Sequence, residues 1–246
     1  MLTLTDYDLI RYSRQIMIPG FGTEGQKKLK MANVLIAGMG GLGSPIALYL
    51  AAAGVGNMRL IDMDEVDLSN LNRQILHWDE DVGKEKVRSA LEKLRKVNSS
   101  VKFDVVNTKI DEENVCDLTA KYDVLIDALD NFQARHLLNK AAIKHGVPLI
   151  HGAVYGYEGR LVTLFPGKTA CLECVFPLVP PSKIFPVLGT TPGVIAALQS
   201  TEVIKYITGT GVNLTDEMLI YDGEMMKFDR VRISRNPNCK SCSTES

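Results

Sequence analysis

The chain has 246 residues, a formal net charge of −1, 46% hydrophobic and 23% charged residues. A balance so close to neutral gives no electrostatic case for nucleic acid or an anionic membrane surface as partner. The length is enough to bury a full core as one large domain, or as one domain with an appendage. Residues 31–58 carry no charge, long enough to cross a bilayer, but six glycines and Pro45 interrupt them. The pattern there is strand, turn and helix, which argues against a membrane span. No basic stretch followed by an apolar one opens the chain, so the expected compartment is the cytoplasm, where thiols stay reduced.

Residues 5–16 (TDYDLIRYSRQI) begin with a cap candidate, Thr5, and place Leu9, Tyr12 and Ile16 at helical spacing. Arg11 and Arg14 lie three apart and share a helix face, which by itself reads as a solvated surface pair. Residues 19–22 (PGFG) break the helix, and residues 26–31 form a second, short one. Residues 34–37 are apolar and run straight into Gly38-Met39-Gly40-Gly41-Leu42-Gly43. A small-residue helix over 46–53 and a strand over 58–61 follow. Strand, glycine turn, helix, strand is the order of a nucleotide-binding unit. The glycines let the backbone come close to phosphate, and the helix N-terminus offers free amides to an anion. Asp62 ends the second strand, where a carboxylate can accept from ribose hydroxyls.

The glycine motif alone favours a dinucleotide such as NAD. Two features favour ATP. Asp62 and Asp64 are followed by the polar run Ser69-Asn70-Leu71-Asn72-Arg73-Gln74, and phosphoryl oxygens want cationic and amide partners. Asp130-Asn131 follows the apolar strand 123–128, where a carboxylate can hold Mg²⁺ beside phosphates.

Residues 79–98 carry a long helical pattern with Val87, Leu91 and Leu94 on one face. Lys84, Lys86, Arg88, Lys93, Arg95 and Lys96 stud the rest and read as a solvated basic face. Strands over 101–106, 122–128 and 148–151 alternate with helices over 112–119 and 132–145, which predicts a parallel, doubly wound sheet. Beyond Gly152 the rhythm changes. Residues 159–166, 218–221 and 226–233 alternate as added antiparallel strands. Residues 176–191 hold four of the ten prolines and form a long loop, and residues 193–207 a largely buried helix.

Two of the five cysteines form Cys171-Leu-Glu-Cys174 and two form Cys239-Lys-Ser-Cys242. Two residues between thiolates suit two ligands of one tetrahedral ion, and two such pairs complete a Cys₄ zinc site. A redox-active pair would instead be expected near a helix start in a thioredoxin-like unit. Cys116 reads as a small buried residue. His77, His136, His145 and His151 share no motif and each reads as structural.

GMGGLGS, DMDEVDLSNLNRQ, VGKEKV and ALDN, in this order and spacing, resemble the MoeB/ThiF family, relatives of ubiquitin-activating enzymes. The resemblance runs from RYSRQ at residues 11–15 to the last cysteine pair. It implies one α/β domain over 1–246: N-terminal helices in 1–33, a nucleotide-binding core in 34–152, and antiparallel strands, a crossover loop and the zinc site in 153–246. The sheet would be Rossmann-like and mostly parallel, with an antiparallel extension. The implied reaction is adenylation by ATP and Mg²⁺ of the terminal glycine of a small ubiquitin-like sulfur-carrier protein ending in Gly-Gly. Molybdopterin, thiamin and tRNA-thiolation pathways all use such a step.

By the same resemblance, Gly38, Gly40, Gly41, Gly43, Asp62, Asp64, Ser69, Asn70, Leu71, Asn72, Arg73, Gln74, Lys86, Asp130 and Asn131 would bind nucleotide. Asp130 would also hold Mg²⁺. Arg14, Arg73, Lys86 and Asp130 would carry catalysis, with Arg14 reaching the triphosphate of the neighbouring subunit of a homodimer. Many relatives carry a cysteine in the crossover loop. Residues 176–191 contain none, and Ser182 has no adjacent base to make it a nucleophile. The enzyme is therefore expected to stop at the acyl adenylate, with sulfur supplied by a separate donor protein. Two other readings are an NAD(P)-dependent oxidoreductase, which leaves Arg73, Lys86 and Asp130 idle, and a non-catalytic nucleotide-binding scaffold.

Overall fold

A computed structural model describes residues 2–178 and 185–243. Eight strands form one sheet in the order β3-β2-β1-β4-β5-β6-β7-β8. They are β1 (Asn33–Ala37), β2 (Asn57–Asp62), β3 (Lys102–Asn107), β4 (Val124–Asp127), β5 (Leu149–Tyr155), β6 (Glu158–Leu164), β7 (Glu217–Asp222) and β8 (Lys227–Arg232). The first five are parallel, and β6, β7 and β8 add antiparallel to β5. This is the doubly wound sheet with an antiparallel extension that the alternation implied.

The central strands have no polar face because helices cover both sides. Val34 and Ile36 of β1 and Val124 and Ile126 of β4 join one core with Ile46, Leu50 and Leu94. Leu35, Ala37 and Leu125 point the other way, into a second core with Leu138, Ala141 and Val162. The first core is roofed by α3 (Gly22–Met31), α4 (Gly43–Ala53), α5 (Lys86–Val97) and α9 (Thr190–Thr208), the second by α6 (Val115–Thr119) and α7 (Phe132–His145). Strand β8 is exposed along its whole length.

The N-terminal segment 5–16 is two short helices, α1 (Asp6–Arg11) and α2 (Ser13–Ile16). Thr5 and Asp8 cap α1 reciprocally, as the leading Thr5 suggested. The long helix expected over 79–98 is broken. Residues Asp79–Asp81 make a single 3₁₀ turn, Gly83 takes φ +84°, and α5 starts only at Lys86. The acidic run at 79–81 satisfies local amides instead, with Asp81 accepting from Trp78 N at 2.8 Å. Helix α9 begins three residues earlier than the apolar pattern indicated, with Pro192 inside its first turn, a position that needs no amide. The first half of the crossover loop leads from the short helix α8 (Leu172–Val175). Ser182 lies outside the described residues.

Candidate functional site

In a doubly wound sheet the ligand crevice opens at the carboxyl ends of the strands, where the strand order reverses. Here that point lies between β1 and β4. A cavity of about 1180 Å³ opens there and continues over β5 and β6. Its lining brings together Gly38, Gly40, Gly41, Asp62, Asp64, Arg73, Gln74, Lys86, Asp130 and Asn131. Gly43, Ser69, Asn70, Leu71, Asn72 and Arg14 are not in that lining.

The glycine turn has two kinds of glycine. Gly38 sits at φ +96°, and a Cβ there would lie 2.5 Å from the Ala128 carbonyl oxygen. A Cβ on Gly43 would lie 1.8 Å from the Gly38 carbonyl oxygen. These two hold the turn against β4 and against itself. Gly40 and Gly41 face the cavity. A Cβ on Gly40 would meet nothing closer than Gln74 Nε2 at 3.5 Å, and one on Gly41 would press on Pro192 Cγ at 3.3 Å.

The turn is clamped at Met39. Its amide donates to Asp62 Oδ2 at 2.7 Å. Its carbonyl accepts from Ser44 Oγ at 3.0 Å and from His77 Nε2 at 2.9 Å. His77 Nδ1 lies 2.8 Å from Ser89 Oγ, which in turn accepts from Lys93 Nζ at 3.0 Å. Burial pushes the His77 imidazole below its usual range, so its one proton serves Met39 and its lone pair takes the Ser89 hydroxyl. Lys93 also pairs with buried Asp81 and sits 4.8 Å over the Trp78 ring. The structural reading of His77 holds, and it acts directly beneath the glycine turn.

Asp62 also accepts from Asp64 N at 2.8 Å through its other oxygen. Burial pushes the Asp62 carboxyl up, against the pull of Lys86. Lys86, 7% exposed at its side chain, reaches Asp64 Oδ2 at 2.8 Å. It is the first residue of α5, not a mid-helix surface lysine. Lys84 points elsewhere, to Asp81 and Glu92. Arg73 is tethered by Ser69 O at 2.8 Å and Asn72 Oδ1 at 3.0 Å. Asn70 caps the 3₁₀ turn Leu68–Asn70 jointly with Asp67. The run 69–74 therefore divides: Asn70, Asn72 and Ser69 shape the loop that presents Arg73 and Gln74.

Asp130 is exposed within the cavity and forms no hydrogen bond or ion pair among the described residues, a free carboxylate suited to Mg²⁺. Asn131 caps α7 by accepting from Ala134 N at 2.9 Å. Arg14 is exposed on α2 with no partner among the described residues and away from this cavity.

The sequence reading passed over Asp127 and Arg135. Asp127 is wholly buried, accepts from Leu129 N at 3.1 Å, faces Arg135 Nε at 3.7 Å and pairs with His151 Nδ1 at 2.6 Å. No motif flags this group, because it depends on Asp127 and His151 being register partners on adjacent strands.

The sulfurs of Cys171, Cys174, Cys239 and Cys242 all lie within 4.8 Å of one another. Their contacts are 3.8 Å for Cys171–Cys174, 3.6 Å for Cys171–Cys239 and 3.4 Å for Cys174–Cys242. A tetrahedral ion with metal–sulfur bonds of about 2.3 Å has sulfurs about 3.8 Å apart, so the donor set fits. The Asn236 amide points at Cys174 Sγ at 3.4 Å. Cys116 lies apart, on α6, with Lys144 Nζ 3.4 Å from its sulfur.

The ThiF family model matches residues 12–241. A protein from Thermus thermophilus named sulfur carrier protein adenylyltransferase is 38% identical over 252 residues, covering 98% of this chain and 93% of that protein. The maize protein named adenylyltransferase and sulfurtransferase MOCS3-1 is 40% identical over 245 residues, 97% of this chain. The chain spans about half, 52%, of the maize protein's length. Among solved structures, Escherichia coli MccB with ATP superposes at a TM-score of 0.83 with 27% identity, over 97% of this chain and 76% of that one.

Proposed function

This chain belongs to the ThiF family, and we propose that it catalyses ATP-dependent adenylation of the C-terminal glycine of a small ubiquitin-like sulfur-carrier protein. The observation that carries the proposal is the convergence of the glycine turn, Asp62, Arg73, Lys86 and Asp130 on one cavity that also extends over β5 and β6. A nucleotide fits the first part and an extended protein tail the second. The terminal carboxylate attacks the α-phosphate; the bond to pyrophosphate breaks and an acyl adenylate remains. Carboxylate oxygen needs no deprotonation at neutral pH, so the work is alignment and charge neutralisation. Gly40 and Gly41 admit the phosphates, Asp62 takes the ribose hydroxyls, and Lys86 and Arg73 face the phosphate oxygens. Mg²⁺ bound at Asp130 would neutralise charge on the phosphates. Zinc in the four-cysteine site would be structural, since a closed Cys₄ set leaves no open position.

Several parts of the reading rest on the family resemblance. The enzyme works as a homodimer whose Arg14 serves the neighbouring site. Where many relatives have a cysteine, residues 176–191 hold none, so it stops at the adenylate, and a separate donor brings sulfur. No helix among the described residues is long and apolar enough to cross a membrane, and the reading places enzyme and carrier in the cytoplasm. The test is ATP–pyrophosphate exchange with a carrier ending in Gly-Gly. Exchange should require the carrier, and Asp130→Ala should lower it about a hundredfold or more with an unchanged circular dichroism spectrum. Bound NADH with no carrier-dependent exchange would favour the oxidoreductase reading instead.

A further inference from the structure

Among the described residues, two that line the cavity carry a buried side-chain atom with no partner, Gln74 at Oε1 and His151 at Nε2. Gln74 belongs to the nucleotide set of the family resemblance; the His151 atom has no role in the reaction above. His151 is fully buried, and its ring packs 5.5 Å from that of Phe176, at the start of the crossover loop. On its other side Nδ1 meets Asp127 Oδ2 at 2.6 Å. Asp127 already accepts from the Leu129 amide and faces Arg135. It is therefore the acceptor for His151, and the single proton of a neutral imidazole sits on Nδ1. Nε2 is left as a lone pair, able only to accept. An unpaired buried acceptor is unfavourable, so the fold keeps it for something that arrives.

The arriving group must be a donor. Phosphates and the attacking carboxylate are acceptors, which removes both. The ribose hydroxyls belong with Asp62, at the end of β2, the adenine amine lies beyond the ribose on that same side, and β1 and β4 separate β2 from β5 in the sheet. What reaches His151 over β5 and β6 is an extended tail, whose main chain supplies amide donors. The cavity wall continues from His151 to Ala153, Tyr155 and Arg160, along the direction such a tail would take.

We propose that His151, oriented by Asp127, is a positioning residue that accepts a hydrogen bond from the main-chain amide of the carrier's terminal glycine. This inference rests on the adenylation reading. It gives His151 a function in place of the structural role the sequence suggested. The bond fixes the plane of the last residue and so aims its carboxylate at the α-phosphate.

The test uses a recombinant Gly-Gly carrier that supports exchange by the wild-type enzyme, and two semisynthetic versions of it. One has an ester in place of the amide at the terminal glycine. The other has the ester one residue earlier. With wild-type enzyme the first ester should lower kcat/KM for the carrier about tenfold, and the second should not. His151→Phe should show the same loss with the natural carrier and no further loss with the first ester. His151→Gln, which can place an oxygen near the Nε2 position, should recover part of it and covers the case in which His151→Phe folds poorly. The KM for ATP should stay within about twofold throughout. Equal further loss from the terminal ester in both His151 variants, or a loss confined to the earlier ester, overturns the proposal. If wild-type enzyme shows no carrier-dependent exchange with any such carrier, the adenylation reading itself fails and takes this inference with it.

Discussion

Replacing Lys93 with Met keeps most of the side chain's volume and removes one atom, Nζ. That atom pairs with Asp81, donates to Ser89 Oγ and lies over Trp78. Both ends of the ion pair are buried, at 6% and 1% side-chain exposure. Breaking a buried pair from one side leaves an uncompensated charge and costs about 3–5 kcal/mol. Asp81 keeps the Trp78 amide at 2.8 Å and Lys84 at 3.2 Å, the latter 36% exposed. The remaining partners place the loss near about 3 kcal/mol. For a chain of this size that is a fall in Tm of about 6–12 °C. Removing the stranded carboxylate as well, in Lys93→Met with Asp81→Asn, should recover a large part of it. The effect also has a pH signature. Burial alone would raise the Asp81 carboxyl, but Lys93, the Trp78 amide and Lys84 outweigh it and hold the group below its ordinary value of 3.8. A depressed folded-state value means that Asp81 contributes stability above about pH 4, lost as pH falls through the folded value. In Lys93→Met that loss should begin at higher pH. The Ser89 hydroxyl still reaches His77, so Met39 stays clamped and ATP affinity should change less than about threefold. Thermal melts from pH 3 to 8 and ATP titrations read all of this. A fall in Tm under about 2 °C, or no recovery in the double variant, refutes the reasoning.

Protein purified without chelator should carry about one zinc per chain by elemental analysis, and Cys239→Ser should lower both zinc content and Tm without altering ATP affinity. Arg14→Ala and Asp130→Ala subunits, each inactive alone, should regain part of the exchange activity when mixed, because one hybrid site has both residues; a fully active monomer would remove Arg14 from the site. Enzyme, ATP, Mg²⁺ and carrier should give no thiol-sensitive adduct by intact mass, and an adduct lost in Cys116→Ala would show that the crossover loop is not the only place to look for a nucleophile.

The part of the cavity around the glycine turn was readable because its elements are local. The apolar run, glycine turn, helix and Asp62 fall within 34–62, and each follows from spacing. Asp130, which lines the cavity, stood out for the same reason, as a carboxylate just past an apolar strand. The start of α5 was misread because residues 79–85 keep helical spacing while Gly83 adopts a left-handed turn and Asp81 spends its oxygens on a local amide and two lysines. Asn70, placed with the nucleotide by the resemblance, lies outside the cavity lining, and its oxygen accepts from Asp67 N at 3.2 Å. The Asp127–Arg135–His151 group was missed because parallel strand register, not sequence distance, makes Asp127 and His151 neighbours. The cysteine pairs sit 65 residues apart, and only the fold of the antiparallel extension closes that gap.

That closure has a consequence for how the chain is sewn together. The crossover segment leaves from α8, which carries Cys174 and follows directly on Cys171, and ends at Pro192, against the glycine turn. A single cut within residues 176–189 would therefore produce two pieces that both stay anchored in the fold. The leading piece keeps β6 and the first cysteine pair, and the trailing piece keeps β7, which hydrogen-bonds to β6, and the second pair. Strand pairing and four sulfurs span the cut, so the nicked protein remains one particle. A cut there leaves the pairing of β6 with β7 in place.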